Sequence, residues 1–316
     1  LPKSWSLLAL VGGDQRIIDA YREAVIETLR WAEKNAAQTR MGSQAGYGKV
    51  VTDNLTIGLF QHDTNRNQEP NLHFHAVVAN VTQGSDGKWR ALRNDKLWSF
   101  NTLLNSMTMA RFRLAVEKMG FEAGPAGKHG NFEAAGIARE QVMAFSTRRE
   151  EVLDAVRQLG ENTPKTRDIA VLNTRKSKAP VRDREGLLDA WRQKAQEVGI
   201  DLAGLIDASQ MRAATKDIPS SKEGSLLQRG IAKLREFAQR IKGDPADPLI
   251  PAHVLKQDAP TIAAAQAVAS AVRHLSQREA AFPREGLLKA ALDFGLPTTV
   301  DHIETRVNAL VRSGTL

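Results

Sequence analysis

The stretch that most limits the folds open to this chain is residues 54–81. It runs Asn54-Leu-Thr-Ile-Gly-Leu-Phe-Gln-His62, then a polar connection, then Leu72-His-Phe-His75-Ala-Val-Val. The apolar residues before His62 and from Leu72 onward read as two strands. The connection between them, Asp-Thr-Asn-Arg-Asn-Gln-Glu-Pro-Asn, is made of turn formers, so the strands are expected to pair as an antiparallel hairpin. Alternate side chains of a strand share a face. His73 and His75 therefore project together, about 7 Å apart along the strand, with Phe74 turned the other way. The hairpin brings His62 towards them, which gives three imidazoles and open coordination positions, as at a catalytic rather than a structural ion. A lone His-x-His is more often a solvated strand face. A third histidine on the pairing strand, with only seven in the chain, tips the balance to metal. His129, His253, His274 and His302 are scattered without ligand spacing and read as surface or packing residues.

At 316 residues and 42% hydrophobic content the chain can bury a sizeable core, enough for one large domain plus a small one or for two ordinary ones. The absence of cysteine excludes a disulfide framework and a thiolate metal site. No apolar run is long enough to span a bilayer and no signal-peptide pattern is present, so a soluble, cytoplasmic protein without membrane insertion is expected. A net charge of +8 favours a polyanionic partner, nucleic acid before membrane. The chain opens on Leu1-Pro2-Lys3-Ser4 with no initiator methionine and stops at Gly314-Thr-Leu316, and it is expected to be a piece of a longer protein.

Along the chain, the apolar run 5–11, bounded by Pro2 and Gly12-Gly13, predicts a buried strand. Asp14 then caps a helix over 15–35 whose apolar stripe includes Tyr21, placing that tyrosine in the core. Tyr47 stands in a glycine-rich connection. Further expectations are a tight turn at 84–87, a short strand at 88–92, a helix over 100–119 and a hairpin from Phe121-Glu122 to Phe132-Glu133. Helices follow over 147–159, capped by Ser146 or Thr147, over 166–174, and over 187–198, where Trp191 reads as core. Thr174-Arg-Lys-Ser-Lys178 is a dense basic cluster that reads equally as solvated surface or as phosphate contact. Residues 206–260, polar and broken by prolines around a basic helix over 226–241, read as a linker. Helices over 261–275, 283–293 and 300–312 suggest a small helical or winged-helix module.

The segment from His62 through His73-Phe-His75 to Asn80 closely resembles the His-hydrophobe-His signature of the TraI/TrwC-type conjugative relaxases. Pro2-Lys3-Ser4, Gly120-Phe-Glu122, Lys128-His-Gly130, Ala144-Phe-Ser146 and Thr174-Arg-Lys-Ser-Lys178 resemble further segments of that family in the same order. The likeness covers residues 1–205. It implies an α+β fold, an antiparallel sheet flanked by helices with the histidines on its central strands, followed at 261–316 by the start of a helicase-associated region. It also implies nicking and rejoining of one strand of plasmid DNA at a transfer origin. In that chemistry a tyrosine becomes joined to the 5′ phosphate and releases a 3′ hydroxyl.

By the same resemblance His62, His73 and His75 would hold a divalent ion, which the family is usually described with as magnesium or manganese, although three neutral imidazoles also suit zinc. Arg175, Lys176 and Lys178 would meet single-stranded DNA, and conjugation accessory proteins would be partners of the parent. The family's nucleophilic tyrosines and a supporting aspartate, which lie near its N-terminus, are not in this chain. The helix at Arg111 carries Ala110 where many relatives have a tyrosine. The isolated chain is thus expected to bind metal and DNA without cleaving. The alternatives are a relaxase-like domain that only binds single-stranded DNA and an unrelated metallohydrolase. The latter would need a base from Asp63 or Glu69, both expected to be solvated in their polar loop.

Overall fold

The computed structural model describes residues 1–43, 46–175, 181–216 and 247–316. It is α+β, with short antiparallel strand pairs set among helices. The run 5–11 departs from expectation. It is helical, a short helix α1 (Lys3–Ser6) continuing into a π-helical turn, Leu7–Val11, whose wide hydrogen bonds include Gly12 N–H to Leu7 O at 2.9 Å. A seven-residue apolar run carries no period that separates a buried strand from a buried helix. Here Trp5, Leu7 and Leu8 are fully buried, as suits a helix apolar all round. Trp5 meets Phe112, Phe121 and Phe132 edge-on at centroid distances of 5.4, 5.6 and 5.6 Å. Such aromatic pairs add about 0.5–1.5 kcal/mol each beyond area burial.

Helix α2 (Gln15–Ala36) starts where Asp14 was expected to cap it, the carboxylate accepting from Arg16 N–H at 3.1 Å. Tyr21 is buried in this helix against Phe74 and Phe112, in the core as the spacing predicts. The strands β1 (Gln38–Ser43) and β2 (Gly46–Val51), β3 (Ile57–Thr64) and β4 (Pro70–Val78), and β5 (Val81–Gln83) and β6 (Trp89–Ala91) pair two by two, all antiparallel. Among the described residues the expected antiparallel sheet is divided into three ribbons, and a bridge between Gln38 and Arg93 joins the first to the third. The tight turn at 84–87 closes through Gly87 N–H to Gly84 O, and the expected hairpin at 121–133 is a bridge between Ala123 and Ala134.

After α3 (Asp95–Ser99), the central helix α4 (Asn101–Lys118) serves two cores. Met109, Phe112 and Val116 join Trp5 and the first core, whereas Leu103, Met107 and Ala110 join a second. Next come α5 (Arg139–Ala144), α6 (Thr147–Gln158), α7 (Pro164–Asn173), α8 (Arg184–Glu197) and α9 (Leu202–Lys216). α9 sits so close that a Cβ on Gly120 (φ +88) would stand 2.0 Å from Ser209 O.

The last three helices, α10 (Ala259–Ser276), α11 (Arg284–Asp293) and α12 (Val300–Arg312), close the second core against α4, with Ser106 donating to Asp293 at 2.6 Å and Arg111 pairing with Asp301 at 2.7 Å. Ala110 lies in that core, where its small side chain lets the helices approach. The linker expected at 206–260 begins inside α9. Its middle, 217–246, with the basic helix over 226–241, lies outside the described residues.

Candidate metal centre

In the β3–β4 ribbon His62 stands directly opposite His73, and Phe60 opposite His75. Strand alternation puts all three imidazoles on one face, with ring centroids 5.4, 4.6 and 5.0 Å apart. One ring nitrogen from each lies within 4.8 Å of the others, and among the described residues this is the one such group of three that could hold a metal. His129, His253, His274 and His302 do not join it. His62 and His73 are half-buried and His75 is exposed, so the cluster opens to one side. A three-imidazole donor set open on one side would fit a divalent cation and leave positions for a substrate oxygen.

His73 is oriented by a backbone partner. Its Nδ1–H donates to the Asn71 carbonyl at 2.8 Å, which leaves Nε2 to face the cluster. Burial pushes the His73 imidazolium below the usual histidine range. The Asn71 bond opposes that shift, and the neighbouring imidazoles His75 and His62 reinforce it. The net lowering favours the neutral, ligating form.

The strand that carries His73 is pinned from behind. Lys3 Nζ donates to Pro70 O at 2.7 Å, and the Leu72 N–H donates to the Ser6 hydroxyl at 3.1 Å. Helix α1 thus does from its side chains what a neighbouring strand would do from its backbone. Ser4 in turn receives Ala134 N–H at 2.7 Å and binds the Glu133 carboxylate, tying in the hairpin at 121–133.

Asp63, near the end of β3, and Glu69, in the loop before β4, overturn the expectation that both carboxylates are solvated in a polar loop. Glu69 is 7% exposed, and it accepts from Thr147 N–H at 2.7 Å, from the Thr147 hydroxyl at 2.6 Å and from Asn65 Nδ2 at 2.6 Å. The cap expected of Ser146 or Thr147 for α6 is therefore supplied by a carboxylate from 78 residues away. Asp63 pairs with Arg184, and Trp191, buried as expected, donates from its indole to Gln68 O at 2.9 Å. Both carboxylates are thus committed to protein partners, which removes the two candidate bases of an unrelated metallohydrolase.

Of the basic cluster, Arg175 is exposed at the end of α7, whereas Lys176 and Lys178 lie outside the described residues. Lys3, Ser6, Arg184 and Glu69 went unassigned as supports because each works through a partner dozens of residues away. The one sequence signal for Lys3 was its place in the Pro2-Lys3-Ser4 segment.

Residues 1–198 match the family model described as TrwC relaxase. The multifunctional conjugation protein TraI of Escherichia coli is 39% identical over 245 residues, covering 73% of this chain. The chain spans 13% of the length of that curated relative. Among solved structures, the conjugative relaxase TrwC in complex with oriT DNA, in a metal-bound form, is 40% identical with a TM-score of 0.60, covering 64% of this chain and 70% of that one. TrwC complexed with a 27-mer DNA comprising the recognition hairpin and the cleavage site is 39% identical with a TM-score of 0.61, covering 64% and 72%.

Proposed function

The chain belongs to the TrwC relaxase family, and from that premise we propose that it is the relaxase part of a conjugation protein that nicks and rejoins one strand of plasmid DNA at a transfer origin. The observation that carries this reading is the convergence of His62, His73 and His75 on one open strand face. When bound there, a divalent cation, magnesium or manganese with zinc also suited to the donors, supplies Lewis-acid polarisation of a phosphodiester's non-bridging oxygen. The imidazoles would hold that position; burial favours the neutral form of His73, and its bond to Asn71 O aims the ring.

In the reaction a tyrosine oxygen bonds to phosphorus as its proton departs, and the 3′ oxygen leaves and takes up a proton. Reversal rejoins the strand. Tyr21 is unsuited to that attack, because its ring is packed in the core and burial pushes its hydroxyl above the usual phenol range. Tyr47 does not match the position of the family's nucleophile either, and on this reading the isolated chain binds metal and single-stranded DNA without cleaving. The same reading takes residues 1–205 as the relaxase unit, followed by a connecting stretch and a helical module at 261–316. Accessory proteins of conjugation are partners of the whole protein in the cytoplasm.

Calorimetric titration of metal-free protein with manganese, beside a His73→Ala, His75→Ala double variant, tests the site. Binding by the unaltered chain that disappears in the variant is expected. Equal binding in both would refute the assignment. Arg175, Lys176 and Lys178 are assigned to backbone phosphates, so replacing all three with alanine should weaken binding whatever the sequence. It should also reduce the slope of affinity against salt by about two to three counterions. An unchanged slope would take them out of the interface.

A further inference from the structure

The face that carries the histidines extends beyond them. The register sets Phe60 opposite His75 and Gly58 opposite Val77, so the alternation that gathers the imidazoles also places Phe60 and Val77 on the same side. Both point away from protein. Phe60 is 55% exposed and Val77 58%, although the opposite face of the ribbon, with Leu72 fully buried and Phe74 against Tyr21, has a core to fill. The Phe60 ring lies along Gly58, where an added Cβ would come within 3.0 Å of the ring edge. The glycine thus leaves room for the aromatic ring to lie along the ribbon.

We propose that Phe60 and Val77 form a stacking platform for one base of single-stranded DNA, that of the nucleotide beside the phosphate received by the histidines. The inference rests on the site reading above. Phe60 and His62 are two strand residues apart, about 7 Å, which is close to the reach from a phosphate to a base on an adjoining sugar. An aromatic face accepts any base and requires no hydrogen-bond readout. The net charge of +8 suits the polyanion that would deliver the base. Two side chains are far short of the roughly 800 Å² per partner that a stable protein interface buries, so a second protein is the poorer occupant.

The test is fluorescence anisotropy with a twelve-nucleotide thymidine oligonucleotide and an abasic strand of the same length, in manganese, against the unaltered chain, Phe60→Ala and Phe60→Trp. Phe60→Ala should bind the thymidine strand about tenfold more weakly, Phe60→Trp should restore it, and the abasic strand should bind all three proteins alike. Equal affinity of Phe60→Ala and the unaltered chain for thymidine, or an equal loss on the abasic strand, would overturn the platform while leaving the site reading intact. Failure of the unaltered chain to bind either strand would overturn both. A dimer in sedimentation that Phe60→Ala dissociates would give the face to a second copy of the chain instead.

Discussion

At its loop end the β3–β4 ribbon is tied to α1, α6 and α8 through Lys3, Ser6, Thr147, Trp191 and Arg184, whereas at its other end Phe60, Ala76 and Val77 face solvent. His62 and His73 stand at the tied end and His75 at the start of the open one. The two ends illustrate two requirements that rarely coincide in one hairpin. Donor atoms that must meet at a single ion need their backbone held by bonds that survive thermal motion. A surface that receives a long polymer needs its side chains left uncovered. The ribbon meets the first with side-chain hydrogen bonds from distant elements and the second by pairing with nothing beyond β3 and β4 among the described residues.

The sharpest way to break this contrast is at Glu69. Glu69→Ala would leave the Thr147 N–H and hydroxyl and the Asn65 amide without their buried acceptor and would remove the cap of α6, at a cost of about 3 kcal/mol. Urea denaturation should show that loss together with weaker manganese binding. A loss under about 1 kcal/mol would mean that the loop end is not held through this carboxylate. A smaller effect is expected of Ser6→Ala, which strands the buried Leu72 N–H beside His73 and should cost about 1–2 kcal/mol, again with reduced manganese affinity. Unaltered metal binding in a destabilised Ser6→Ala chain would separate the strand's anchoring from the site's geometry. The smallest effect belongs to the open end. Phe60→Ala should change stability by no more than about 0.5 kcal/mol, even as it weakens DNA binding. A loss comparable to that of Ser6→Ala would show that the aromatic is structural after all.

Much of the site was legible because its signals are local. The period-two alternation around His73 and His75, the turn formers between the strands and the third histidine at the far side all lie within 14 residues, and the structure brings the three rings together. The helix over 15–35 and its Asp14 cap, the burial of Tyr21 and Trp191, and the three terminal helices were readable for the same reason. The turn at 5–11 was not, because a short run of uniformly apolar residues has no period to distinguish strand from helix. Glu69 was misread because a glutamate in a polar loop looks solvated until the helix end it caps is known. The two uses of α4 were also hidden, since the same helix shows apolar residues on both faces and the sequence does not say which core each one meets.

The sequence by itself determined that a histidine-bearing hairpin exists, which residues share its metal-facing side and which family the surrounding segments resemble, since these follow from the alternation of a strand and the chemistry of short motifs. Only the tertiary structure decided that a buried helical turn stands behind that hairpin in place of a strand, and that a loop carboxylate caps a helix 78 residues on. It also decided that an exposed aromatic lies beside the imidazoles. Each of these depends on hydrogen bonds and burial between residues far apart in the chain, where no local periodicity records the partner.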